Sequence, residues 1–184
     1  SFESALADFA SRYICDDRKK YKNISSYYLM DGVKPTPGTR KTLMSNGSNL
    51  ILKDGQLLVT SPASFSESIV FLSNPTNQKA FFIPYPEVLF YKNNYEVKNS
   101  GSYIVMSEIE AKYLQIRQNA NSQYKSNSKT TYVPRDIAGP TLGQRQNSKF
   151  SMAIKAVEGS GVCKQIDLIG TDPYGITAAL VSFA

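Results

Sequence analysis

Phe2, Leu6, Phe9 and Tyr13 recur at helical spacing, with Ala5 and Ala10 at the margins and Ser1 placed as an N-cap. The spacing predicts an amphipathic helix over residues 1–18 whose four large side chains dock on the rest of the fold. A charge run, Asp16, Asp17, Arg18, Lys19, Lys20 and Lys22, ends it, and cations there suit the helix dipole. Tyr27, Tyr28, Leu29 and Met30 follow without a clear period, and 33–39, with two prolines, reads as loop.

Residues 49–60 read as a β-hairpin, because Asp54-Gly55 supplies the two positive φ angles of a tight turn between apolar runs. Strands are expected over 68–72, 81–90 and 102–106, with Pro84 and Pro86 pushing the middle one to an edge. Ser107-Glu-Ile-Glu110 is a capping box, and Ile109, Tyr113, Ile116 and Ala120 form the stripe of a helix over 108–120. From 117 to 149 the chain is rich in Asn, Ser and Gln and reads as a long polar loop. Residues 150–184 read as strand, short helix and strand, since Lys164 would share a strand face with Val162, Ile166 and Leu168. The pattern therefore predicts one α+β domain over 1–184: an N-terminal helix packed on an antiparallel sheet, with long polar loops.

With 184 residues, 41% hydrophobic and 20% charged, the chain can bury a sizeable core. It contains no histidine, which removes Ser-His-Asp and Cys-His mechanisms and histidine zinc sites. Gly-rich phosphate loops are absent and the carboxylates show no glycosidase-type pairing, so no catalytic residue, cofactor or metal is expected and the chain reads as a non-enzyme. Cys15 and Cys163 leave two outcomes open: two free thiols, or a disulfide that closes a long loop and implies an oxidising compartment.

The formal net charge is +6, and the tract 117–149 holds Arg117, Lys125, Lys129, Arg135, Arg145 and Lys149 against the single carboxylate Asp136. Tyr124 and Tyr132 lie among these cations, the combination that phosphate contact plus base stacking requires, although a solvated loop has the same composition. DNA or another anionic surface is the partner class this tract suggests.

The segment Phe150-Ser-Met-Ala-Ile-Lys-Ala-Val157, followed by Glu-Gly-Ser-Gly-Val-Cys163-Lys-Gln-Ile166, resembles the strand and cysteine-bearing helix of type IVb pilins. The arrangement of helix, connection and sheet is similar to a type IV pilin or minor pilin head that lacks its hydrophobic half-helix. The resemblance implies a structural filament subunit, extracellular or periplasmic, with other subunits as partners and a membrane anchor only in a segment before Ser1. In that picture Phe2, Leu6, Phe9 and Tyr13 dock the helix and Cys15 and Cys163 cross-link it. A host-binding adhesin or a virion or phage surface protein is the competing expectation, and a nucleic-acid-binding module the third.

Overall fold

The computed structural model describes residues 2–32, 49–124, 139–173 and 175–176, with the side chains of 2–4 and 117–124 outside the description. The expected terminal strand over 176–183 lies almost wholly outside these residues.

The organising element is the stretch that lacked a clear period. Residues Lys20–Asp31 form β1, a strand of 12 residues, in which Tyr21 and Ile24 through Tyr28 are buried. A strand covered on both faces carries no polar/apolar alternation, so no period of two marks it. One side of β1 pairs antiparallel along its length with β8 (Lys149–Glu158), from Tyr21↔Glu158 to Asp31↔Lys149. The other side is shared by two short parallel neighbours, β6 (Glu96–Asn99) at its start and β7 (Ser102–Val105) beyond.

Beyond β7 lie β5 (Asn74–Ile83) and β4 (Ser66–Phe71), and beyond β8 lies β9 (Cys163–Thr171), giving the order β4-β5-β7-β1-β8-β9. The expected hairpin is present as β2 (Leu50–Lys53) and β3 (Gln56–Val59), with φ of 49° at Asp54 and 79° at Gly55. It joins the main sheet through the bridge Leu52↔Ser100 and through the Gly55 amide, which donates to the Lys98 carbonyl of β6 at 2.7 Å.

Two expectations from the pattern do not hold. The sheet is mixed, not antiparallel, because β1 runs parallel to β6 and β7; together with a strand in place of the expected cysteine-bearing helix, this rules out the pilin fold and the likeness drawn from 150–166. In β9, Lys164, Ile166 and Leu168 do share a face, and the ammonium is satisfied there: Lys164 Nζ lies 3.3 Å from the Ile14 carbonyl and 3.4 Å from Glu158. That carbonyl belongs to the last turn of α1 (Phe2–Ile14), where a cation is favourable.

The face of the sheet carrying Tyr28, Met152 and Ile154 is covered by α1 and by α2 (Glu87–Asn94), which starts where Pro84 and Pro86 end β5. Glu87 is fully buried in the first turn of α2 and accepts hydrogen bonds from the Tyr28 hydroxyl at 2.9 Å and from Ser102 at 3.3 Å. One turn on, the Tyr91 and Ser26 hydroxyls lie 2.7 Å apart, and burial pushes the Tyr91 phenol well above its ordinary pKa. These polar pins explain why small hydroxyl residues, Ser26 in the middle of β1 and Ser102 at the start of β7, sit at a buried interface.

On the opposite face Tyr27, Tyr103 and Phe82 lie in register across three strands; the two tyrosine rings stack at 5.3 Å. The Tyr27 hydroxyl donates to Glu67 on β4, and burial raises the Tyr27 and Tyr103 pKa values so that both phenols stay protonated. Asp167 lies on this same face, opposite Ala153, and makes contact with the end of β4. The sheet thus curls until its two outer strands meet over an aromatic interior, with the helices outside.

Candidate interaction surface on the helical layer

The face by which α1 docks is set by its small residues. Ala7, Ala10 and Ser11 are fully buried, with Leu6 and Ile14 partly buried beside them. Alanines let the helix axis approach the sheet closely, and the aromatic residues are left outside: Phe9 is 61% and Tyr13 78% exposed, their rings 6.4 Å apart. The expected docking set is therefore corrected to Leu6 alone among its described side chains; Phe2 lies on the helix with its side chain outside the description. The end of α1 is tied to β1 by the Asp16 amide, which donates to the Tyr21 hydroxyl at 2.7 Å.

The helix over the β5 end of the sheet is turned the same way. It spans α3 (Glu108–Tyr124), and its capping box forms as expected: the Ser107 hydroxyl accepts from the Glu110 amide at 3.2 Å, and the Glu110 carboxylate accepts from the Ser107 amide at 2.8 Å. Ala111 and Leu114 pack on Phe81 and Ala63. The predicted stripe faces away from the sheet: Ile109 is 81%, Tyr113 63% and Ile116 60% exposed. On both helices the larger side chains read as core from spacing, and in both another face takes the sheet: Ala7, Ala10 and Ser11 on α1, Ala111 and Leu114 on α3.

The two cysteines are free. Successive strand residues point to opposite faces; Lys164 reaches the end of α1, so Cys163 projects to the other side of the sheet from Cys15. The cross-link open in the sequence does not form for that reason. Cys15 is half-buried beside Tyr21, and burial raises its pKa to about 11, which makes it a poor nucleophile at neutral pH. A cleft of about 460 Å³ next to it, between α1 and α2, is lined by Arg12, Asp16 and Tyr95 among others. Arg18 holds the Asp16 carboxyl down at a pKa of about 2.

The basic tract is not brought together as a site among the described residues. Arg117 lies on α3 with its side chain outside the description, and Lys125, Lys129 and Arg135 fall outside it altogether. Arg145 sits on a short helix, α4 (Leu142–Gln146), opened by the Thr141–Gln144 capping box, and Lys149 starts β8, exposed. Among the described residues no group of three His, Cys, Asp or Glu side chains is placed to hold a metal ion, and no helix is long and apolar enough to cross a membrane.

What the fold and surface define is a curled mixed sheet with a helical layer that turns two apolar helix faces to solvent. No family model matches the chain, and no curated protein matches it. Among solved structures, it is similar to the apo form of saccharopine dehydrogenase (L-Glu forming) from Saccharomyces cerevisiae, with a TM-score of 0.43 at 11% identity over 91% of this chain and 56% of that one. This chain spans little more than half the length of that enzyme, and a likeness of this grade carries no argument about activity.

Proposed function

We propose that this chain is a non-catalytic assembly subunit that pairs with a second copy of itself through the outward face of α3. The observation that carries the reading is the exposure of Ile109, Tyr113 and Ile116 together on one helix face. Three large apolar side chains more than half exposed on consecutive turns are what a partner would bury.

Charge order along the helix favours a second copy, and an antiparallel one. Glu108 and Glu110 stand at the start of α3, and Lys112 and Arg117 follow. In an antiparallel pair centred on Tyr113, the acidic first turn of each helix comes level with position 117 of the other. A parallel pair would set the two acidic turns side by side. The stripe is close to self-complementary about Tyr113, as an isologous two-fold contact requires.

A helix-sized contact falls at the low end of interface size, below about 1,200 Å² in total, so the pair forms reversibly and dissociates on dilution. Sedimentation equilibrium from micromolar to millimolar protein tests this. The wild type shifts from monomer to dimer, and Ile109→Glu, at a position too exposed to matter for folding, stays monomeric. A wild type that is monomeric throughout the range overturns the proposal.

A further inference from the structure

The curl of the sheet is closed by side chains where strands of a barrel would be joined by a backbone ladder. Gln165 and Asp167, alternate residues of β9, reach across to the end of β4. The Gln165 Nε2 group donates one hydrogen bond to the Val70 carbonyl at 2.9 Å and another to Asp167 Oδ1 at 2.7 Å. Asp167 Oδ2 in turn accepts from the Leu72 amide at 2.7 Å. The carbonyl of residue 70 and the amide of residue 72 are the two groups that a single residue of a parallel neighbouring strand engages, because such a residue bonds on either side of the one it faces. The amide and carboxylate therefore stand where one residue of an added strand would stand.

We propose that the outer edge of β4 accepts an extended segment of another polypeptide as an added parallel strand, which displaces Gln165 and Asp167 from Val70 and Leu72. This is strand addition to an exposed sheet edge, with affinity from the main chain and selectivity from alternate side chains. The partner's chemistry follows from the surroundings. Val70 is 47% and Leu72 78% exposed on the outer side of β4, with Ile69 and Phe71 buried beneath, so the segment carries apolar residues at alternate positions on its outer face. A strand running parallel to β4 leaves past Leu72 into a cleft of about 650 Å³. That cleft is lined by Ser73 and Asn74 on one side and by Ile169 and Thr171 on the other, with room for the side chains at the segment's C-terminal end. Steric protection of a bare edge would account for one capped carbonyl and amide; it does not account for a cleft continuing the same line.

The probe is a capped heptapeptide of alternating valine and threonine, titrated into the full chain and followed by backbone amide NMR. Shifts confined to β4 and β9, together with slowed exchange of the Leu72 amide, are the expected result. The double variant Gln165→Ala/Asp167→Ala frees the two backbone groups and is expected to bind about tenfold tighter, since one competing charge-assisted hydrogen bond is removed. Should the double variant fail to fold, Gln165→Ala alone gives a smaller gain in the same direction. A peptide N-methylated at every threonine, whose amides point to β4 when the valines face outward, loses binding. Equal binding of the methylated peptide, shifts at another surface, or no shift in the folded variant at millimolar peptide each overturns the proposal. The readout is separate from dimer formation, since Ile109→Glu leaves this edge untouched.

Discussion

The orientation of α1 is decided by two adjacent residues, and exchanging their sizes tests it. Ala10 is fully buried against the sheet, whereas Phe9 is 61% exposed. Ala10→Leu forces three further carbons into a contact that has no space for them, and overpacking of this kind costs about 2 kcal/mol. In a domain of this length, that lowers the melting temperature by roughly 4–8 °C. Phe9→Ala removes a mostly solvated ring and places the best helix former at an exposed helical site, so the change stays within about 0.5 kcal/mol. Had the stripe Phe2, Leu6, Phe9 and Tyr13 been the docking face, the same Phe9→Ala would open a core cavity costing about 3–5 kcal/mol. Calorimetry of the two variants at one pH separates the cases. A large loss from Phe9→Ala with Ala10→Leu tolerated would falsify the packing described.

Three further outcomes follow from the buried polar and thiol groups. Tyr91→Phe keeps the ring in place and strips the hydroxyl from Ser26, leaving a buried oxygen without its 2.7 Å partner; denaturant unfolding should show a loss of about 1–2 kcal/mol. Intact mass under non-reducing conditions should match two thiols, and alkylation at pH 8 should modify exposed Cys163 first, with Cys15 following only on unfolding. The Cys15 pKa is raised in the folded state, to about 11, so folding favours the protonated thiol. The stability this contributes is complete below the unfolded thiol's pKa near 8.5 and is lost as pH rises through about 11. Denaturant midpoints measured between pH 8 and 11 should therefore fall less steeply in Cys15→Ala than in the wild type.

What could be read from the sequence was whatever rests on local backbone chemistry. The Asp54-Gly55 turn placed the hairpin, because such a pair holds two positive φ angles cheaply between apolar runs, and the Ser107–Glu110 box placed the start of α3, because its hydrogen bonds are local. What could not be read was set by long-range packing. β1 lost its signature by being buried on both faces, and its central Ser26 is explained only by Tyr91, 65 positions away. The cysteine strand was masked by Lys164, whose place on an apolar face makes sense only once the end of α1 lies over it. In both helices the large apolar stripe outweighed the rest of the pattern, while contact with the sheet went to the face of Ala7 and Ala10 on α1 and to that of Ala111 and Leu114 on α3. The candidate surface was thus present in the sequence as a stripe, with its direction inverted. The seam at Gln165 and Asp167 carried no sequence signal, since its partners are backbone groups of a distant strand.

The antiparallel pairing of α3 places Tyr113 on the two-fold axis and moves Ile109 to opposite ends of the contact. In a Cys15→Ala/Cys163→Ser background, single cysteines at these two positions can be oxidised at a protein concentration where dimer forms. The account predicts a covalent dimer from Tyr113→Cys and little or none from Ile109→Cys; efficient cross-linking at 109, or none at 113, would contradict it.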